Sequence, residues 1–139
     1  MGVFARYREL NREQRALLAR AAVWLMLARL GLAVLPFPRV RALCARASTR
    51  RSLKGRSASE IRWAVLAAAR RLPGVNCLPR ALVLQALLQQ AGIASDLRIG
   101  VATDPQKGLT AHAWVDCDGK PFLADEDLSP YTPLAPLPS

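Results

Sequence analysis

Apolar positions along the chain have two textures. Through the first two thirds they are mostly Ala and Leu in runs with helical spacing, and in the last third they alternate with polar residues. Residues 8–35 read as one long helix, because the residues between Ala16 and Leu35 are good helix formers and Pro36-Phe37-Pro38 stops it. Its apolar residues do not form one stripe. Leu17, Trp24 and Leu35 share a face, while Leu18, Leu25 and Leu27 point elsewhere. A helix apolar nearly all round is either a core helix or docks on a partner or membrane surface. Residues 40–47 form a short second helix, and 48–59, STRRSLKGRSAS, a solvated connector. Ser57 or Ser59 caps a third helix over 60–72, with Ile61, Val65, Leu66 and Ala69 at helical spacing, and Pro73-Gly74 breaks it. A fourth helix opens beside Cys77, presents Leu82, Leu84, Leu87 and Leu88, and stops at Gly92.

Beyond Gly92, residues 96–103, 110–117 and 120–125 read as strands, with a turn-rich loop over 104–109. Asp118-Gly119 between the last two is a strong hairpin signal. The tail, 129–139, holds four prolines and reads as extended and surface-lying. Helices first and an antiparallel sheet after them define an α+β domain.

Composition sharpens this picture. A chain of 139 residues, 52% of them hydrophobic, makes about one domain with a real core. The net charge of +10 is uneven. Residues 1–56 carry thirteen Arg and Lys against two acids, whereas 57–139 carry seven against eight. Such a basic segment attracts acidic peptides, anionic lipid or nucleic acid, and charge alone does not choose among them. Three widely spaced cysteines, Cys44, Cys77 and Cys117, argue against a disulfide framework and for a reducing, cytoplasmic compartment. No CxxC occurs and the single histidine completes no zinc spacing, so neither a metal nor a cofactor is expected. No Gly-rich phosphate loop and no signal peptide are recognisable. Arg20 and Arg29 interrupt the longest apolar run, leaving a charge-free stretch well short of the roughly 20 residues of a membrane span.

The chemistry centres on Cys77, at or near the N-cap of an apolar helix with Pro79 in its first turn. The partial positive charge of a helix N-terminus favours a thiolate. A partner follows from register. If Asp118 and Gly119 are the turn residues, facing positions have numbers that sum to 237, and His112 faces Asp125. Asp127 faces Thr110 and is the reserve carboxylate. Cys77 is then a nucleophile, His112 its general base and acid, and Asp125 the group that orients the imidazole. The Cys77 backbone N–H is a natural oxyanion donor. A lone cysteine is commonly a buried small hydrophobe and a lone histidine a structural residue, so spacing alone does not decide the matter. Cys44 and Cys117 have no comparable placement, and Cys117 lies on the opposite strand face from His112. Trp114 shares the His112 face as a core or pocket-wall residue, with Asp116 further along.

The stretch AARRLPGVNCLPRALVLQALLQQAGIASDLRIGV, followed by AHAWVDCDGKPF, resembles the transglutaminase-like cysteine peptidases of lasso-peptide biosynthesis, the leader peptidases. The resemblance is closest over residues 57–127. It implies a transglutaminase/papain-like fold of N-terminal helices followed by a small antiparallel sheet. Residues 1–56 become a basic helical segment for leader or partner docking, and 57–139 the catalytic core, together one compact domain. It implies a Cys–His–Asp triad of Cys77, His112 and Asp125, with Asp125 preferred over Asp127. The substrate becomes the leader segment of a ribosomally made precursor peptide. Because residues 1–56 lack the strands of a leader-binding domain, the chain resembles the stand-alone form. That form works with a separate leader-recognition protein and hands its product to an ATP-dependent lasso cyclase. Two other readings stay open. One is a transglutaminase-like acyl transferase using the same triad. The other is a non-catalytic basic protein for nucleic acid or a membrane surface, although the scarcity of aromatic interleaving and the lack of a groove-reading motif argue against it.

Overall fold

The first helix begins where a side chain can close its free N–H groups. Asn11 accepts from the Gln14 N–H at 2.7 Å, and the Gln14 side chain accepts from the Asn11 N–H at 3.1 Å, a reciprocal capping box. Helix α1 (Arg12–Val34) follows. The computed structural model describes residues 11–72, 75, 77–106, 108–117, 120–122 and 132–133, so the expected first turn at 8–10 lies outside the described residues. The apolar residues of α1 sort into two rows. Leu17, Leu18, Ala21, Leu25 and Ala28 are buried, whereas Val23, Leu27, Leu30 and Val34 stand at least 57% exposed on the other side. By length and composition alone α1 meets the description of a membrane-crossing helix, which the arginine argument had set aside, yet here one side of it packs into the core.

The Pro36-Phe37-Pro38 stop is also a start. Pro36 is extended, and α2 (Phe37–Ala47) takes Pro38 into its first turn, where a missing N–H costs nothing. The second helix therefore begins three residues earlier than its sequence periodicity indicates. The connector after it is exposed along most of its length but not free. Ser48 and Leu53 are buried. The Leu53 N–H donates to the Gln90 carbonyl at 3.1 Å, and Arg51 Nη1 donates to the Gln89 carbonyl at 2.6 Å. Arg20 Nη1 donates to both Ser52 Oγ and Gln90 Oε1 at 2.9 Å, and Gln90 Nε2 donates to Ser48 Oγ at 3.2 Å. Carbonyls in the last turn of a helix have no intrahelical partner, and here the connector supplies one. Helix α3 (Ala58–Arg71) is capped by Ser57 rather than Ser59, with Ser57 Oγ accepting from the Glu60 N–H at 3.1 Å.

Helix α4 (Cys77–Gln90) is the centre of the molecule. Ala81, Leu82, Val83, Leu84, Ala86, Leu87, Leu88 and Gln90 are buried, so it is covered on nearly all sides. Helices α1, α2 and α3 and both long strands pack on it. Its end is a Schellman motif. The Ile93 N–H reaches the Leu88 carbonyl at 2.9 Å, the Gly92 N–H reaches the Gln89 carbonyl at 3.0 Å, and Gly92 sits at φ +79°. A Cβ there would meet only ordinary van der Waals contacts to Arg51, so the cost of Gly92→Ala is conformational. We expect a loss of about 1–2 kcal/mol in urea unfolding, the penalty of a left-handed L-residue; no change would mean that the turn rearranges.

Strands β1 (Asp96–Asp104), β2 (Gly108–Cys117), β3 (Lys120–Pro121) and β4 (Thr132–Pro133) make one antiparallel sheet in the order β3-β2-β1-β4. This is the α+β order expected, with two differences. The loop expected over 104–109 shrinks to residues 105–107, because Asp104 pairs with Gly108, and Gly108 supplies the positive φ of +77° that so short a loop needs. Part of the proline-rich tail also joins the sheet, with Thr132 and Pro133 pairing with Val101 and Gly100. An edge position accommodates proline, which cannot donate to a second neighbour.

Candidate active site

Cys77 is the first residue of α4 rather than a residue before it. Pro79 follows in the first turn, where helix N–H groups need no intrahelical partner, and its ring is buried. The Cys77 side chain is half-buried against the hydrophobic core. The sulfur thus stands at the N-terminal end of the most enclosed helix of the fold, which gives it a rigid mount.

The other cysteines differ from it. Cys44, on α2, is half-buried, and burial pushes its thiol above the ordinary value. Cys117 packs at the edge of the core through the β2 face that also carries Ala113 and Val115. In timed iodoacetamide labelling read by peptide mapping, Cys44 is expected to lag Cys77, because thiolate is the reactive form. Labelling of Cys44 first would contradict this picture.

The register of the second hairpin follows the arithmetic. Cys117 pairs with Lys120 and Asp116 with Pro121, and the Phe122 N–H donates to the Val115 carbonyl at 2.7 Å, each pair summing to 237. Pro121 falls at the position of the ladder that exchanges no hydrogen bonds, so its missing N–H breaks nothing. Asp125 and Asp127 lie outside the described residues, as does Asn76.

His112 is placed by β2 and is 9% exposed. Ala113 and Val115 enter the hydrophobic core together with Leu97, so alternation along the strand puts His112, Trp114 and Asp116 on the other face. The face carrying the histidine is therefore not the one that fills the helical core. On that face the imidazole stacks on Trp114, with ring centroids 6.2 Å apart and 23° between the planes. Trp114, itself buried at 4% exposed, thus forms a wall beside the histidine, outside the cluster that Ala113 and Val115 join. Gly100 of β1 lies directly opposite His112 and brings no side chain to the imidazole.

A polar chain holds this wall. Trp114 Nε1 donates to Asp116 Oδ1 at 3.0 Å, and Arg98 Nε donates to Asp116 Oδ2 at 3.1 Å. The Arg98–Asp116 pair is mostly withdrawn from solvent, with side chains 26% and 13% exposed. Asp116 is four residues along the strand from His112, about 13 Å, so it orients the tryptophan and not the histidine. Arg98 and Gly100 were missed from sequence. The signal that would have found them is Gly108: read as the left-handed residue of a short loop, it sets a β1–β2 register that puts Arg98 opposite Trp114 and Gly100 opposite His112.

Among the described residues, no group of three or more His, Cys, Asp or Glu side chains could hold a metal ion. The arrangement instead offers a thiol at a helix start and a histidine packed on an indole. Neither the curated proteins nor the solved structures searched contain a match to the chain. A family model does match, over residues 22–136, a span that takes in the later part of α1, the other three helices, the sheet and the positions of Cys77, His112 and Asp125. Cysteine-dependent enzymes are common in that family, peptidases and acyl transferases among them. By this match, and by a fold of helices followed by an antiparallel sheet, the chain belongs to the transglutaminase-like superfamily.

Proposed function

We propose that the protein is a cysteine peptidase that removes the leader from a ribosomally made lasso-peptide precursor. The observation that carries this reading is the placement of Cys77 as the opening residue of the central helix in a transglutaminase-like chain. One further observation supports the pairing of His112 with Asp125. The 237 register holds over every described pair of the second hairpin, and its continuation puts residue 125 opposite 112. The reading requires the Cys77 end of α4 to reach the His112 face of β2, the face opposite the one that Ala113 and Val115 turn to the core.

In this mechanism His112 takes the thiol proton and the sulfur attacks the scissile carbonyl carbon. The backbone N–H groups at the start of α4 stabilise the oxyanion. Collapse of the tetrahedral adduct breaks the C–N bond, and His112 returns the proton to the leaving amine. Water, deprotonated by His112, then attacks the thioester, releasing the leader as a carboxylate and restoring the thiol. Asp125 holds the imidazole in the required tautomer. A separate leader-recognition protein presents the precursor, and the exposed row Val23, Leu27, Leu30 and Val34 on α1 supports its docking there. The core peptide then passes to an ATP-dependent cyclase.

The test is incubation of the purified chain with a candidate lasso precursor, with and without a leader-binding protein, read by mass spectrometry. A leader fragment ending in a free carboxylate, formed faster with the partner, is the expected product. A crosslinked product of higher mass would instead assign acyl transfer to an amine through the same residues.

A further inference from the structure

A concavity lies along the far half of α4. Helix α2, the C-terminal part of α4 and residues 92–95 enclose a cleft of about 860 Å³. Phe37, Leu82 and Ile93 give it apolar walls, Arg41, Arg46 and Arg51 line it with charge, and among the described residues no acidic side chain lines it. The charge of the surrounding sequence is strongly positive, since residues 14–59 carry ten Arg and Lys and no Asp or Glu, although Asp96 follows the lining residue Ser95. Arg51 is held in the wall by its bond to the Gln89 carbonyl. Arg41 sits where burial disfavours its charged form. An incoming carboxylate offsets that penalty, and a guanidinium can take it in two parallel hydrogen bonds.

We propose that this cleft binds an extended acidic segment of the precursor peptide, with its carboxylates on Arg41 and Arg46 and its apolar side chains against Leu82 and Ile93. The proposal rests on the leader-peptidase reading. The position fits a substrate that continues past the thiol. Residues 82–89 of α4 lie about 8–18 Å from Cys77 along the helix. An extended chain covers that in about two to six residues, so the acidic side chains recognised lie within that range of the cut. A nucleic-acid strand is a poorer match, because Phe37 is the only aromatic side chain among the described lining residues and stacking platforms use several. A second copy of this chain is disfavoured by its own net charge of +10.

The test uses the full chain and a short fluorescein-labelled peptide of alternating Glu and Leu, read by fluorescence anisotropy at low and high salt. Binding is expected to weaken with salt and to fall at least about tenfold in Arg41→Glu/Arg46→Glu, as truncating or reversing a charge contact does. Cys77→Ala should bind as tightly as the parent. Because Arg46 is exposed, Arg46→Ala alone keeps the test valid if the double variant fails to fold. Equal binding of a Lys/Leu peptide, unchanged affinity in the arginine variants, or tighter arginine-dependent binding of oligo-dT or phosphatidylglycerol vesicles would each overturn the proposal. Failure of the cleft and failure of the peptidase reading look different. If precursor is cleaved with the same KM by the arginine variants, the cleft is wrong. If the acidic peptide binds as expected but precursor is never cleaved, the peptidase assignment is wrong and the cleft stands.

Discussion

Cys77→Ala is expected to abolish precursor cleavage, a loss of about a thousandfold or more, because removing a covalent nucleophile leaves only the binding and oxyanion contributions. The substitution deletes one sulfur from a half-buried position at the end of a helix, so the fold should survive it. Circular dichroism and a thermal melt check that point, and Cys77→Ser provides a second, nearly isosteric variant. Binding of the precursor should persist in both, since the thiol contributes to the reaction and not to the docking surface. Cleavage at the parental rate by either variant would remove Cys77 from the mechanism. It would leave Cys44 and Cys117 as candidates, each with a less favourable setting: Cys44 has a thiol pushed up by burial, and Cys117 faces away from His112.

The largest effect on stability is expected in the middle of α4. Leu87 is fully buried and packs within the single large core cluster. Leu87→Ala should cost about 2–5 kcal/mol, the lost transfer free energy plus the cavity left behind. A domain of this size is stable by only about 5–15 kcal/mol, so the variant loses a large fraction of the total. Leu27→Ala is the matched control, because Leu27 is 61% exposed on α1 and its truncation should stay within about 0.5 kcal/mol. Urea unfolding of both variants is the measurement. Similar losses at the two positions would contradict α4 as the centre of the core. A loss at Leu87 should also slow cleavage at temperatures well below the melt, since α4 is the mount for Cys77.

The sequence was most informative where one local rule acts alone. Gly92 and the register across Asp118-Gly119 are set by the left-handed conformation and by a two-residue turn, and each is found where those rules put it, whereas capping left Ser57 and Ser59 both open and Ser57 is the cap. The start of α4 at Cys77 is legible for the same reason, because Pro79 fits only the first turn of a helix. Prediction was poorer where a residue has two permitted roles. The Pro36-Phe37-Pro38 stretch ends one helix and begins another, and the local signal is the same for both. Residues 48–56 are polar enough to be solvated, yet they bond to the last carbonyls of α4, a contact between segments about 40 residues apart.

For the candidate site, the sequence alone determined the residue types, the helix start that carries the cysteine and the pairing register of the histidine strand. These depend on neighbours within a few positions. Only the tertiary structure decided which face of β2 enters the core, that Trp114 is a wall for His112, and that Arg98 and Asp116 hold that wall. The physical reason is that strand alternation divides a strand into two faces without naming the buried one. In β2, His112, Ala113, Trp114 and Val115 are all buried, so exposure does not separate the faces. The packing of α4 against Ala113 and Val115 does.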